Sequence, residues 1–122
     1  MGVSILLADD HAVSRGSVRA DLEDCGYVIC AEVGDADAAV AAALSAHPDI
    51  ALLDVRMPGD GIEAARSIAA QLPDTRVVML TVSHDEDDIR AAVAAGAVGY
   101  VLKEADLAEA LAAVVAGEVV LP

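Results

Sequence analysis

The sequence predicts an α/β protein in which helices cover both faces of a parallel sheet. Five short apolar runs alternate with five longer helical segments, and no linker-like stretch interrupts the alternation. The apolar runs are continuous, which is typical of strands that are buried on both faces. A Gly or Pro follows each helical segment, as expected at helix ends. The 122 residues are enough for one domain with a core of its own.

Each predicted unit is a strand followed by a helix. The strands are expected at residues 3–8, 27–33, 49–54, 76–81 and 98–102, and the helices at residues 12–25, 36–46, 62–72, 85–95 and 105–116. The helices stop in turn at Gly26, Pro48, Pro73, Gly96 and Gly117. Because crossovers between parallel strands are right-handed, few topologies remain, and we favour the strand order 2-1-3-4-5. That order places the switch point of the sheet between strands 1 and 3.

Polar residues stand where four of the apolar runs end. Asp9 and Asp10 follow the first run, and Asp54 ends the third. Thr81 ends the fourth, and Lys103, the only lysine of the chain, follows the fifth. Ligands of open α/β sheets bind at the carboxyl ends of the strands. We therefore expect three carboxylates, a hydroxyl and an ammonium to meet at one edge of the sheet.

These residue types indicate metal and phosphate chemistry. Three carboxylates in one small site repel each other unless a cation holds them, and Mg²⁺ prefers oxygen ligands. Alone, Asp9 and Asp10 could equally be a turn and helix cap, but Asp54 at the adjacent strand end favours the metal. A carboxylate can attack phosphorus to form an aspartyl phosphate. The Lys103 ammonium and the Thr81 hydroxyl would then neutralise or bind the phosphoryl oxygens.

Charge and composition exclude several other classes. A net charge of −14 argues against direct binding of nucleic acid, which needs Lys and Arg for its phosphates. No apolar stretch reaches transmembrane length, and the first residues lack the basic start of a secretory signal. Cys25 and Cys30 are too few for a disulfide framework, and we expect reduced thiols in a cytoplasmic protein.

Three stretches resemble the receiver domain of bacterial two-component response regulators. They are LLADDH at residues 6–11, LDVRMPG at 53–59 and GAVGYVLKEA at 96–105. The first and the last look most like receivers of NarL/LuxR-type transcriptional regulators. The resemblance covers the whole chain and implies a flavodoxin-like, or CheY-like, (βα)5 fold. It also implies a phosphoacceptor domain rather than an enzyme in the usual sense, one that supports its own Mg²⁺-dependent phosphotransfer and dephosphorylation.

The resemblance assigns a role to individual residues. Asp54 would accept the phosphoryl group from a sensor histidine kinase. Mg²⁺, or Mn²⁺, would be held by Asp9, Asp10, Asp54 and the backbone carbonyl of Arg56. Lys103 would bind the phosphoryl group together with Thr81.

The same resemblance implies a switch. Tyr100 matches the aromatic residue that turns inward when Thr81 is drawn to the phosphoryl group. Arg56 and Ser83, each two residues beyond a site residue, match positions that tune the reaction rate. As for organisation, residues 1–122 would be a receiver excised from a longer regulator, with a C-terminal helix-turn-helix domain that binds DNA. Phosphorylation could also drive homodimer formation.

Two features depart from the common receiver pattern. The loop after Asp54 has one residue fewer before its second glycine, which leaves its path into the third helix open. Glu104 follows Lys103, where many receivers have proline. A cis bond before Glu104 would cost about 2.5–4 kcal/mol.

Three rival functions fit the sequence less well. A haloacid-dehalogenase-type phosphatase, which would be a Mg²⁺-dependent aspartyl-phosphate hydrolase, needs a second Asp two residues after the nucleophile, where this chain has Arg56. A nucleotide- or flavin-binding domain needs a phosphate loop rich in Gly, Ser or Thr after strand 1, where this chain has Asp9, Asp10 and His11. A receiver-like interaction module that works without phosphorylation would not need the complete set of site residues.

Overall fold

The computed structural model describes residues 2–122, so Met1, the first residue of the predicted domain, lies outside it. Strands and helices alternate along the chain in the predicted order. Their bounds are β1 Ser4–Ala8, α1 Ala12–Asp24, β2 Val28–Val33, α2 Ala36–Ala46, β3 Ile50–Leu53, α3 Gly61–Gln71, β4 Arg76–Thr81, α4 Glu86–Ala95, β5 Gly99–Leu102 and α5 Leu107–Val115. Each of the ten predicted elements is present.

The strands form one parallel sheet in the order β2-β1-β3-β4-β5. The predicted fold class and strand order 2-1-3-4-5 are therefore confirmed. From β1 the chain crosses to the outer strand β2, whereas from β3 it continues in the opposite direction to β4 and β5. The connections at the carboxyl ends of β1 and β3 thus diverge, and a crevice opens between them.

Apolar side chains cover both faces of this sheet. Ile5 and Leu7 of β1 belong to a cluster with Leu22 of α1 and residues of α5. Leu6 and Ala8 belong to a second cluster, to which α2, α3 and α4 contribute mainly alanines. Since neighbouring residues of one strand point to opposite faces, both must be apolar when helices cover both faces. This double burial explains the continuous apolar runs in the sequence.

Helices α4 and α5 begin slightly later than predicted because aspartate side chains cap them. Asp106 accepts a hydrogen bond from a backbone N–H in the first turn of α5, which begins at Leu107, two residues after the predicted start. Asp85 caps α4 in the same way, and that helix begins at Glu86. An N-cap residue has non-helical backbone angles, so each helix proper starts one residue after its cap.

The short loop between β3 and α3 turns sharply with the help of two left-handed residues. Gly59 has φ +86° and Asp60 has φ +74°, and the Asp60 side chain then caps α3 by accepting from Ile62 N at 2.9 Å. A Cβ at Gly61 would lie 1.8 Å from the carbonyl oxygen of Asp54. The loop, which is one residue shorter than in the common pattern, therefore makes a tight turn. It passes directly over the end of β3, where only glycine fits.

The last residues of the chain lie along the free edge of β5. Val120 N donates to the carbonyl oxygen of Val98 at 2.9 Å, and Tyr100 N donates to the carbonyl oxygen of Val120 at 2.8 Å. Val120 thereby forms an isolated parallel bridge with Gly99. These last residues thus cover part of the sheet edge and contact the backbone of Tyr100.

Two further expectations concern membranes and thiols. No helix within residues 2–122 has the length and apolar character needed to cross a membrane. Cys25 and Cys30 are exposed free thiols. Cys30 is skipped in the pairing of β2 with β1, where the register shifts, so it is the extra residue of a β-bulge.

Candidate functional site

The carboxyl ends of β1, β3, β4 and β5 bring the predicted site residues to one edge of the sheet. Asp9 and Asp54 directly follow β1 and β3, which are parallel neighbours in register. Thr81 ends β4, and its carbonyl oxygen accepts a hydrogen bond from Lys103 N at 2.9 Å. Asp10, beside Asp9, is exposed, whereas Asp9, Asp54 and Thr81 are buried. The sheet therefore assembles this set as the strand ends predict.

The ammonium of Lys103 lies between the two buried carboxylates. Its Nζ is 2.7 Å from Asp9 Oδ2 and 3.1 Å from Asp54 Oδ2. A third contact, 3.1 Å long, is with Ser14 Oγ in the first turn of α1, a residue that no sequence pattern singled out. The peptide bond between Lys103 and Glu104 is trans. One lysine thus spans the crevice from β5 to both β1 and β3.

The pKa values of Asp9 and Lys103 are both shifted in the direction that favours the charged form. Burial by itself raises the pKa of Asp9, but hydrogen bonds from Lys103 and from His11 N outweigh it, so the pKa lies below the ordinary value of 3.8. Burial by itself lowers the pKa of Lys103, but its bonds to Asp9 and Asp54 raise it above the ordinary value of 10.5. At neutral pH the ammonium and the Asp9 carboxylate are therefore both ionised.

A cluster of metal-ligating side chains surrounds the same point. Ligand atoms of Asp9, Asp10, His11 and Asp54 all lie within 4.8 Å of one another. The His11 Nδ1 is 3.1 Å from Asp10 Oδ1 and 3.4 Å from Asp9 Oδ1. The sequence indicated the three aspartates but not His11, which appeared only as part of a motif. The three carboxylates outnumber the one ammonium, and without His11 they form an all-oxygen ligand set that fits Mg²⁺.

Thr81 and Tyr100 both contact Ser83 in the loop after β4. The fully buried Thr81 accepts a hydrogen bond at Oγ1 from Ser83 N at 3.3 Å. The Tyr100 hydroxyl donates to the carbonyl oxygen of Ser83 at 2.9 Å, and the residue is 1% exposed. Burial raises the pKa of Tyr100. Tyr100 is thus buried and joined by its hydroxyl to Ser83, the residue that also contacts Thr81.

Arg56 and Ser83, the two residues predicted to tune the reaction rate, both contact a residue that the sequence did not indicate. Arg56 Nη2 lies 2.8 Å from Asp88 Oδ2, and Ser83 Oγ donates to the same oxygen at 2.6 Å. Arg56 N also donates to Asp54 Oδ1 at 3.1 Å, while the metal-binding role of its carbonyl stays a prediction. Asp88 belongs to an acidic run that the sequence explains equally well as a solvated helix start.

A family model described as response regulator receiver domain matches residues 5–115. The chain belongs to this family. Receivers bind Mg²⁺ at an acidic pocket, and this receiver has an aspartate cluster at the edge of its sheet. The receiver prediction is therefore confirmed, and the match does not support a phosphatase or a nucleotide-binding domain.

Known proteins similar to this receiver include transcriptional regulators of the NarL/LuxR type. The DNA-binding transcriptional activator DevR/DosR of Mycobacterium tuberculosis is 39% identical over 98% of this chain and 57% of its own length. The nitrate/nitrite response regulator protein homolog of Haemophilus influenzae is 33% identical over 98% of this chain and 60% of its own length. The receiver thus spans little more than half of these relatives.

Solved structures show the same similarity to regulators of the NarL/LuxR type. A LuxR-family two-component response regulator from Aurantimonas superposes with a TM-score of 0.92 at 34% identity, covering 98% of this chain and 89% of that one. The receiver domain of the putative response regulator NarL from Mycobacterium tuberculosis gives a TM-score of 0.86 at 32% identity, covering 95% of both chains. The predicted resemblance to the NarL/LuxR-type receivers is confirmed.

Proposed function

We propose that this receiver accepts a phosphoryl group on Asp54 from a sensor histidine kinase. The observation that carries the proposal is the position of Lys103, whose ammonium is shared by the buried carboxylates of Asp9 and Asp54. A fixed cation beside a buried carboxylate at a strand end suits an acceptor of an anionic group. No other carboxylate among the described residues contacts this lysine.

The transfer is a single displacement at phosphorus. A carboxylate oxygen of Asp54 forms a new O–P bond while the N–P bond of the donor phosphohistidine breaks, and the donor imidazole leaves with the electron pair. Lys103, already 3.1 Å from Asp54 Oδ2, is placed to pair with the phosphoryl oxygens once Asp54 is modified. Thr81 would donate its hydroxyl to another of these oxygens.

Asp9, Asp10 and Asp54, with the Arg56 carbonyl, are the residues proposed to hold Mg²⁺ or Mn²⁺. Bound there, the ion would neutralise charge on the transferring phosphoryl group. The fit depends on the excess of carboxylates over cations at the crevice, because three aspartates cluster there and the ammonium of Lys103 contacts two of them.

We infer how the switch acts from the contacts that Thr81 and Tyr100 make with the loop after β4. If Thr81 turns toward a phosphoryl group, Oγ1 leaves its bond with Ser83 N, and the Ser83 carbonyl that holds the Tyr100 hydroxyl moves with it. A two-state rearrangement of α4 and β5 would follow, and homodimers could form through it. We propose that the rearrangement acts on a C-terminal DNA-binding domain, as in transcriptional regulators, and that the chain works in the cytoplasm.

Acetyl phosphate is the small phosphoryl donor that tests the acceptor. With Mg²⁺, the parent is expected to gain the mass of one phosphoryl group, and Asp54→Asn is expected to gain none. Glu32→Gln, a carboxylate change away from the crevice, is the control that keeps labelling. Labelling of Asp54→Asn at another residue would exclude the assignment, and no labelling of the parent would favour a module that works without phosphorylation.

The switch has its own test, in which beryllofluoride mimics the phosphoryl group. Adding it to the parent should change the NMR signals of Tyr100 and the degree of self-association. Thr81→Ala should still be labelled at Asp54 but should not switch. Identical responses in both proteins would remove Thr81 from the mechanism. In a gel shift beside this titration, the isolated chain at −14 should bind no duplex DNA in either state.

A further inference from the structure

Asp88 in the first turn of α4 holds side chains from two different loops with a single oxygen. Its Oδ2 accepts from Arg56 Nη2 at 2.8 Å and from Ser83 Oγ at 2.6 Å. The Asp88 side chain is 16% exposed, whereas that of Arg56 is 63% exposed. The Asp88 carboxylate is thus the more buried partner, and the Arg56 guanidinium contacts it from a largely exposed position.

Of the two donors, Arg56 contacts the phosphoacceptor Asp54 and Ser83 contacts Thr81. Arg56 N donates to Asp54 Oδ1 at 3.1 Å, and Ser83 N donates to Thr81 Oγ1 at 3.3 Å. The backbone of Arg56 is therefore directly against the carboxylate that receives the phosphoryl group. From this position its long side chain can turn either to Asp88 or towards Asp54.

We propose that Asp88 is a positioning residue that competes with a phosphoryl group on Asp54 for the Arg56 guanidinium. This inference rests on the proposed phosphorylation of Asp54. Guanidinium binds carboxylate and phosphoryl oxygens by the same charge-assisted hydrogen bonds, so one site gains the contact only when the other loses it. While Asp88 is charged, the contact favours the unmodified state, and the phosphorylated state is less stable than it would otherwise be.

The neighbouring Asp87 provides a matched control. It lies in the same first turn, so both carboxylates interact favourably with the helix dipole. Its side chain is 89% exposed, and its ion-pair contact is with Arg90 at 3.9 Å, not with Arg56. Neutralising Asp87 therefore removes the same charge from the same helix end without releasing Arg56.

Beryllofluoride binding in the presence of Mg²⁺ measures the competition. Tyrosine NMR follows the titration, because Tyr100 is joined to Ser83 and reports the loop. Asp88→Asn should lower the apparent Kd roughly threefold to tenfold, as expected when one charge-assisted contact becomes available. Asp87→Asn should leave the Kd unchanged. In an Arg56→Ala background, Asp88→Asn should have no effect.

Two outcomes would overturn the inference. An equal fall in Kd for Asp87→Asn would show a general charge effect, and a fall that persists in the Arg56→Ala background would show that Asp88 does not act through Arg56. Asp88→Ser, a second neutral variant, must repeat the result of Asp88→Asn, and melting curves show that both are folded. Absence of any beryllofluoride response in the parent would instead contradict the proposed function.

Discussion

Two clusters of charged side chains in this protein differ in burial and in their balance of carboxylates and cations. In the acidic crevice, Asp9 and Asp54 are nearly buried and share Lys103 as their cation. In the cluster between α1 and β2, Glu32 is paired with both Arg15 and Arg19. The crevice has more carboxylates than cations, whereas the two guanidinium groups of the second cluster are matched by Glu32 and by Glu23, which pairs with Arg19.

The difference shows how the two clusters can be told apart by charge and burial. The Glu32 pairs are partly exposed and internally neutralised, which is typical of a structural ion-pair network of modest energy. The crevice keeps excess negative charge in a buried place. Such charge lowers the stability of the folded state when no cation is bound, and it is typical of functional sites. Arg15 connects the two, since its Nη1 donates to the carbonyl oxygen of Asp9 at 2.7 Å while its Nε contacts Glu32.

The largest expected effect on stability is the loss of the single cation of the crevice. Lys103→Met leaves the buried Asp9 and Asp54 facing each other with no ammonium between them. The free energy of unfolding at neutral pH should fall by roughly 1–3 kcal/mol, as for a buried charge that loses its partner. Urea denaturation measures the change.

Adding Mg²⁺ to Lys103→Met tests the cause of the lost stability. Added to Lys103→Met, the ion should recover part of the lost stability, because it supplies positive charge to the same carboxylates. A Lys103→Met variant as stable as the parent would mean that the crevice carries no excess charge, and the contrast between the clusters would fail.

The next effect in size is the response of the parent to Mg²⁺. At ten times the Kd, a ligand that binds only the folded state stabilises it by about 1.4 kcal/mol. Asp9→Asn and Asp10→Asn should lose this rise in melting temperature. Glu32→Gln should keep it, because the second cluster does not face the ion. Undiminished responses in both aspartate variants would indicate helix capping in place of a metal site.

The smallest effect belongs to Glu32. The hydrogen bond from Arg19 holds the pKa of Glu32 below its ordinary value of 4.5, with burial opposing and Arg15 assisting. Its stabilisation is thus fully present above pH 4.5 and is lost as the pH falls through the lowered pKa. Glu32→Gln should cost at most about 1 kcal/mol at pH 7, and the difference from the parent should vanish in acid.

Unfolding curves at several pH values measure the Glu32 effect. A cost that stays constant down to low pH would assign the effect to packing and not to the ion pair. A cost at pH 7 as large as that of Lys103→Met would remove the distinction between the two clusters.

The sequence by itself determined the fold and the main residues of the crevice. Continuous apolar runs are the signature of strands buried on both faces, and the right hand of crossovers leaves few orders for such strands. Residues that directly follow these runs must then lie at one edge, which is why Asp9, Asp54, Thr81 and Lys103 could be predicted. Local periodicity and chain topology carry this information, and both can be seen in one sequence.

Only the tertiary structure decided which other side chains complete the crevice. Ser14 contacts Lys103 because α1 packs on the sheet at one rotation, and the phase of α4 directs Asp88, one of a run of four acids, towards Arg56. Val120 pairs with β5 because the chain turns back after α5. These contacts join residues far apart in sequence, and the rotation and packing of whole helices select them, so no local pattern contains them.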